Sequence, residues 1–190
     1  MNREKLNMPF FTDLLPKTNY PSTREGKKRA LRDAYSKYKE ANARGLYGMD
    51  CDRIAFVYAM CCMRVAKLLR VVTERQTVGV TMFFLSVAAQ KLETVLRIVE
   101  SRIALETRNG QKRTIVNLIE KHALAKSMRG LCTQGAIGVL VTAAGGDPGV
   151  QSEPGFGARV QAFLRTPRQI DSRVDKLVEH ISRKSRKASA

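Results

Sequence analysis

Only two histidines and four cysteines occur in this 190-residue chain, few residues for zinc ligation or for a Cys/His catalytic pair. His122 and His180 both fall inside amphipathic helical patterns, neither belongs to an H-E-x-x-H pair, and no Cys/His spacing suits zinc. Cys61 and Cys62 are adjacent, which fits neither a disulfide framework nor a C-x-x-C site. With Cys51 and Cys132 they read as small apolar residues of buried helices in a reducing compartment. A G-x-S-x-G elbow, a G-K-[ST] phosphate loop and a carboxylate pair on an apolar face are all missing, so the expectation is a non-enzymatic protein with no cofactor or metal. Long hydrophobic runs are missing too. Val78–Ala89 (VGVTMFFLSVAA) falls short of the ~18 residues that a bilayer-spanning helix needs. Met1–Lys17 lacks the apolar core of a signal peptide, and Asn2 stands where N-myristoylation requires glycine.

Acidic residues are the remaining scarcity. Thirty-four Lys+Arg face 17 Asp+Glu, a formal charge of +17 with a pI near 10.2. Such an excess repels itself in a compact state unless a counter-charged partner is present. Nucleic acid and an anionic membrane surface both supply one. Hydrophobic residues make up 44% of the chain, so it carries enough apolar matter for a core and is not a disordered polybasic tail. The charge is uneven: residues 1–75 hold 16 bases and 8 acids, residues 158–190 hold 9 and 3, and residues 76–157 hold 9 and 6. Basic ends flank a nearly balanced, apolar centre.

Hydrophobic periodicity predicts an all-α protein, a multi-helix bundle in two small subdomains joined by a Gly/Pro-rich linker. Residues 1–22 read as an irregular arm broken by Pro9, Pro16 and Pro21, whose apolar Met8–Leu15 stretch packs onto the domain. The main helical domain spans 23–144. Its first helix runs from Arg24 to Arg44, with Ser22 and Glu25 at capping-box spacing and Gly45 as the stop. Leu31, Ala34, Tyr35 and Tyr38 share its inner face; the tyrosines suit core packing or base stacking equally. A second helix runs from Asp50 or Asp52 to Arg75 on a stripe of Ile54, Val57, Tyr58, Cys61, Val65, Leu68 and Val72. A third starts at Val78 and continues through Leu92, Val95, Leu96, Val99 and Ile103, with Glu93–Arg97 as an i,i+4 ion pair. After the Asn109-Gly110 turn, Thr114–Arg129 forms a helix with Ile115, Leu118, Ile119 and Leu124 inward. Gly130 punctuates it, and Leu131–Ala144 follows as a further helix whose Gly135 and Gly138 permit close approach. Residues 145–157 are the linker. Residues 158–190 hold a short helix over Ala158–Leu164 and a final amphipathic helix introduced by Thr166, Pro167 and Gln169. The basic tail after it carries Ser185 and Ser189 in settings that base-preferring kinases favour.

Three sets of cations are candidates for polyanion contact. Lys27, Lys28, Arg29 and Arg32 surround the wet side of the first helix. Arg53, Arg64, Lys67 and Arg75 fall within a narrow sector of the second at 100° per residue. Arg183, Lys184, Arg186 and Lys187 form the tail. Guanidinium forks match phosphate oxygens. No ribonucleoprotein, K-homology or zinc-knuckle signature accompanies them, so backbone-tracking, salt-sensitive binding is the expectation.

The run from Ile54 to Ile98 (IAFVYAMCCMRVAKLLRVVTERQTVGVTMFFLSVAAQKLETVLRI) resembles the middle helices of orthomyxovirus matrix proteins. There, too, an Ala/Cys/Met-rich helix is followed by a Thr-Val-rich turn and a second small-residue helix. The likeness covers about a quarter of the chain and is one of texture, without a discrete motif that fixes residue correspondences. The chain is shorter than the influenza type and lacks its N-terminal helices, departures that suit a divergent member such as that of a fish orthomyxovirus. The resemblance implies a structural protein that lines the inner face of a viral envelope and is met in the host cytoplasm and nucleus. It also implies self-assembly into a homo-oligomeric array and contacts with both anionic lipid membrane and RNA or viral ribonucleoprotein. A nucleocapsid or other sequence-nonspecific RNA-binding protein is the alternative.

Overall fold

The computed structural model describes residues 19–47, 51–72 and 78–165, together with Lys176. Five α-helices and no strand occur among them: α1 (Arg24–Tyr47), α2 (Cys51–Val72), α3 (Val78–Arg108), α4 (Lys112–Ala143) and α5 (Phe156–Arg165), with a 3-10 turn over Pro148–Ser152 before α5. The protein is an all-α multi-helix bundle. The helices pack in chain order, α1 on α2, α2 on α3 and α3 on α4, and α5 closes against α3 and α4.

The α1 N-terminus is capped one residue later than the spacing predicts. Thr23 Oγ1 accepts the Gly26 backbone N–H at 3.1 Å, and Glu25 pairs with Lys28 at 2.9 Å. Gly45 does not stop α1, which runs on to Tyr47. The inner face of α1 is Ala30, Leu31, Ala34, Tyr35, Tyr38 and Ala41, all buried. Tyr38 meets Tyr58 of α2 at 5.2 Å and Phe84 of α3 edge-on at 5.1 Å. The Tyr58 hydroxyl donates to Asn42 Oδ1 at 3.0 Å. These rings form the core joint of three helices and are not a base-stacking platform.

Helix α2 lies between α1 and α3, so it buries more than the expected stripe. Val57, Tyr58, Cys61, Val65 and Leu68 are inside, and so are Phe56, Ala59, Cys62, Ala66 and Leu69. In α3, Leu85, Ala88, Leu92, Val95 and Val99 are buried at alternating spacings of three and four, the seam of a coiled-coil pair. Its partner α4 answers with Leu118, Ala125, Cys132 and Val139, seven apart, plus Ala136.

That seam explains the main departure from the sequence reading. Helix α4 is one continuous element through Gly130, not two. A mid-helix glycine costs about 1 kcal/mol relative to alanine, which a seam extending on both sides of it outweighs. Small residues do bring the helices close: a Cβ at Gly135 would lie 3.1 Å from a methyl of Leu85. Ile119 is not inward but 53% exposed, because it lies about 100° round the helix from the buried Leu118. Glu93 pairs with Arg129 of α4 at 2.8 Å, not with Arg97 along its own helix. The α3–α4 turn matches the expected Asn109-Gly110, with Gly110 at φ 71°.

Past Gly145, Asp147 caps the 3-10 turn by accepting the Gly149 N–H at 2.7 Å. Helix α5 buries Phe156, Val160 and Leu164 in the same core as the other helices. Its last carbonyls would lack partners; Ser86 Oγ donates to Leu164 O at 3.2 Å, and Gln90 Nε2 to Arg165 O at 3.4 Å. Met8–Leu15, the final amphipathic helix apart from Lys176, and the basic tail lie outside the described residues.

Candidate polyanion-binding site

The exposed side of α2 is built by sequence spacing. Met60, Met63, Arg64, Lys67, Arg70 and Val71 recur at three- and four-residue intervals and so share one face, opposite the residues that pack into α1 and α3. Helix α4 runs alongside across the top of α3, and Met128, Leu131 and Gly135 form the facing wall. Leu85 of α3 lies at the bottom, and the open groove measures about 650 Å³. Val71 and Leu131 stand at its rim, 50% and 58% exposed.

Arg64, Lys67 and Arg70 run along one wall of this groove. None of the three has an ion-pair or hydrogen-bond partner among the described residues. The Nε of Arg64 is buried without an acceptor among the described residues, an unfavourable state for a charged donor. Arg70 reaches across to α4, where its guanidinium lies over Gly138; a Cβ there would come within 3.2 Å of it. Glycine at 138 therefore makes room for the cation, a role distinct from helix-to-helix approach.

Of the predicted α2 set, Arg64 and Lys67 come together in the groove. The Arg53 side chain, Arg75 and the tail residues Arg183, Lys184, Arg186 and Lys187 lie outside the described residues. The α1 set is less uniform than its pattern. Arg29 is exposed and Lys27 half-buried, Lys28 is held by Glu25, and Arg32 is half-buried with its Nε lacking a partner. None of the four is among the described residues lining the groove.

Arg70 went unnoticed in the wheel because it lies about 60° beyond Lys67, outside the chosen sector. The usable signal was the pair Met60 and Met63, which marks that face as apolar and cationic together. His122 is a surface histidine paired with Glu100 at 2.9 Å, bridging α4 and α3. Among the described residues no group of three or more His, Cys, Asp or Glu converges to hold a metal. None of the helices described is long and apolar enough to cross a membrane.

No family model, curated protein or solved structure matches this chain. Its chemistry is therefore read from its own residues: a cationic wall beside an apolar trough suits phosphate-bearing, partly apolar partners.

Proposed function

We propose that the chain is a viral structural protein of matrix type, which self-assembles and uses basic surfaces to bind anionic membrane and RNA or ribonucleoprotein. The observation that carries this reading is the row Arg64–Lys67–Arg70, without an ion-pair partner among the described residues, on a chain of net charge +17. Cations without carboxylate partners keep their full attraction for phosphate. Self-assembly is supported by apolar side chains left outside the core. Burial in α3 ends at Val99, and Leu105, Val116 and Ile119 are exposed on the stretch of α3 and α4 beyond it.

The alternative, a nucleocapsid-like RNA coat, draws on exposed cations outside the α2–α4 groove: Arg29 on α1, and Arg108, Lys112 and Arg113 around the α3–α4 turn. Flotation with phosphatidylserine or phosphatidylcholine vesicles, beside RNA gel shifts over a salt series, separates the two. Flotation that requires the anionic lipid and fades with salt is the matrix outcome. RNA protection without flotation is the nucleocapsid outcome. Replacing Arg64, Lys67 and Arg70 by alanine, with Arg53 and Arg75 in a second variant, is expected to weaken binding. Undiminished binding by both variants in both assays removes this surface from the function.

A further inference from the structure

The α2–α4 groove offers more than charge, since Met60, Met63, Leu85 and Met128 line it beside the three cations. A peripheral protein that only sensed surface potential would need the cations and not the trough. We infer that the groove seats one acyl chain of an anionic lipid drawn from the bilayer, with the lipid phosphate held by Arg64, Lys67 and Arg70. The inference rests on the membrane-binding reading above and names the lipid's mode of contact.

Size favours an alkyl chain. From Met60 to Val71 the groove runs about 16 Å at 1.5 Å of rise per residue. Its volume of about 650 Å³ falls within the roughly 300–1,000 Å³ typical of small-molecule sites. Methionine side chains are flexible and polarizable, and they mould to chains of differing length and unsaturation. The charge is complementary at the same place. Arg64 is half-buried in the groove wall with its Nε unpartnered among the described residues, so the rest of its guanidinium is free to meet a phosphate oxygen. Arg70, lying over Gly138, bridges the two walls and can meet the headgroup from the side opposite Arg64.

Calorimetric titration of the full chain with decyl phosphate below its micellar concentration, with native mass spectrometry for stoichiometry, tests this. One decyl phosphate is expected to bind per chain. Octyl phosphate should bind about tenfold more weakly for its two missing methylenes. Inorganic phosphate should fail to compete at equal concentration, and decyltrimethylammonium should bind at least tenfold more weakly. The R64Q/K67Q/R70Q variant should lose at least tenfold in affinity. So should Leu131→Glu, which sits on the exposed rim and leaves the core untouched, so that a folding failure of the triple variant does not decide the matter.

Absence of decyl phosphate binding, indifference to chain length, or equal binding by Leu131→Glu overturns the inference. So does an acidic amphipathic peptide that occupies the groove and resists displacement, which assigns it to a protein partner. Wild-type flotation on phosphatidylserine vesicles without decyl phosphate binding removes the groove inference and leaves the membrane reading standing. Loss of both removes both, and decyl phosphate binding without flotation excludes the bilayer as the source.

Discussion

Burial raises the Cys61 and Cys132 thiols from about 9 to about 12 and pushes Cys62 up as well, desolvation being the leading cause at each. The thiolate is the reactive form, so these three should resist alkylation at pH 8 in the folded protein. A pulse of N-ethylmaleimide on a Cys51→Ser background, read by intact mass, should add nothing until denaturant is present; rapid native labelling would place a thiol at the surface. The same shift has a pH consequence. Between about pH 9 and about pH 12 the folded thiols keep protons that the unfolded chain releases, so stability falls as pH rises. Below pH 9 their contribution is intact. The decline in melting temperature above pH 9 should be shallower in Cys61→Ala, and parallel curves would show that the thiol is not responsible. At another residue, Ser86 supplies a buried hydrogen bond that ties α5 to α3 beside that of Gln90. Ser86→Ala should destabilise by about 1 kcal/mol, visible as a lowered denaturant midpoint, and an unchanged midpoint would show that this hydrogen bond adds nothing to the hold of α5.

At the scale of elements, glycines in one helix make opposite predictions. Gly130 lies mid-helix, and a Cβ there meets nothing within 4 Å. Gly130→Ala should therefore stabilise by about 0.5–1 kcal/mol through helix propensity. Gly135→Ala should destabilise, because its Cβ would press on both methyls of Leu85 at 3.1 and 3.2 Å in a close-packed seam. Melting of the two variants side by side checks both signs, and equal behaviour would contradict the seam. The same glycines mark where the sequence was legible. Periodicity located all the described α-helices because each has a face that must be buried. Gly45 and Gly130 misled as stops because a local cost of about 1 kcal/mol is smaller than the tertiary contacts on either side. Ser22 and Thr23 are equally good caps by type, and the backbone path chooses between them. Arg64 and Lys67 were visible as one face of α2. The facing wall of Met128, Leu131 and Gly135 was not, since no local pattern states which helix lies across from which.

For the whole molecule, the decisive quantity is the excess of 34 bases over 17 acids. The ion pairs Lys28–Glu25, Lys37–Glu40, Arg129–Glu93 and Arg159–Glu153 lie at or near the surface, where each contributes at most about 1 kcal/mol. Arg64, Lys67 and Arg70 have none among the described residues. A net +17 therefore works against compaction, and screening should relieve it. As salt rises from about 0.01 M to about 0.15 M the screening length contracts from about 30 Å to about 8 Å. The melting temperature should climb over that range by about 2–4 °C for each 1 kcal/mol of repulsion removed. A short polyanion such as heparin, at far lower ionic strength, should raise it further by binding the folded state. The two responses should part in R64Q/K67Q/R70Q: salt stabilisation diminishes only in proportion to the three charges removed, whereas heparin stabilisation falls more steeply if this row is where polyanions dock. Equal loss of both would spread the attraction over the entire surface, and a melting temperature that drops with added salt would mean that attractive pairs outweigh repulsion after all.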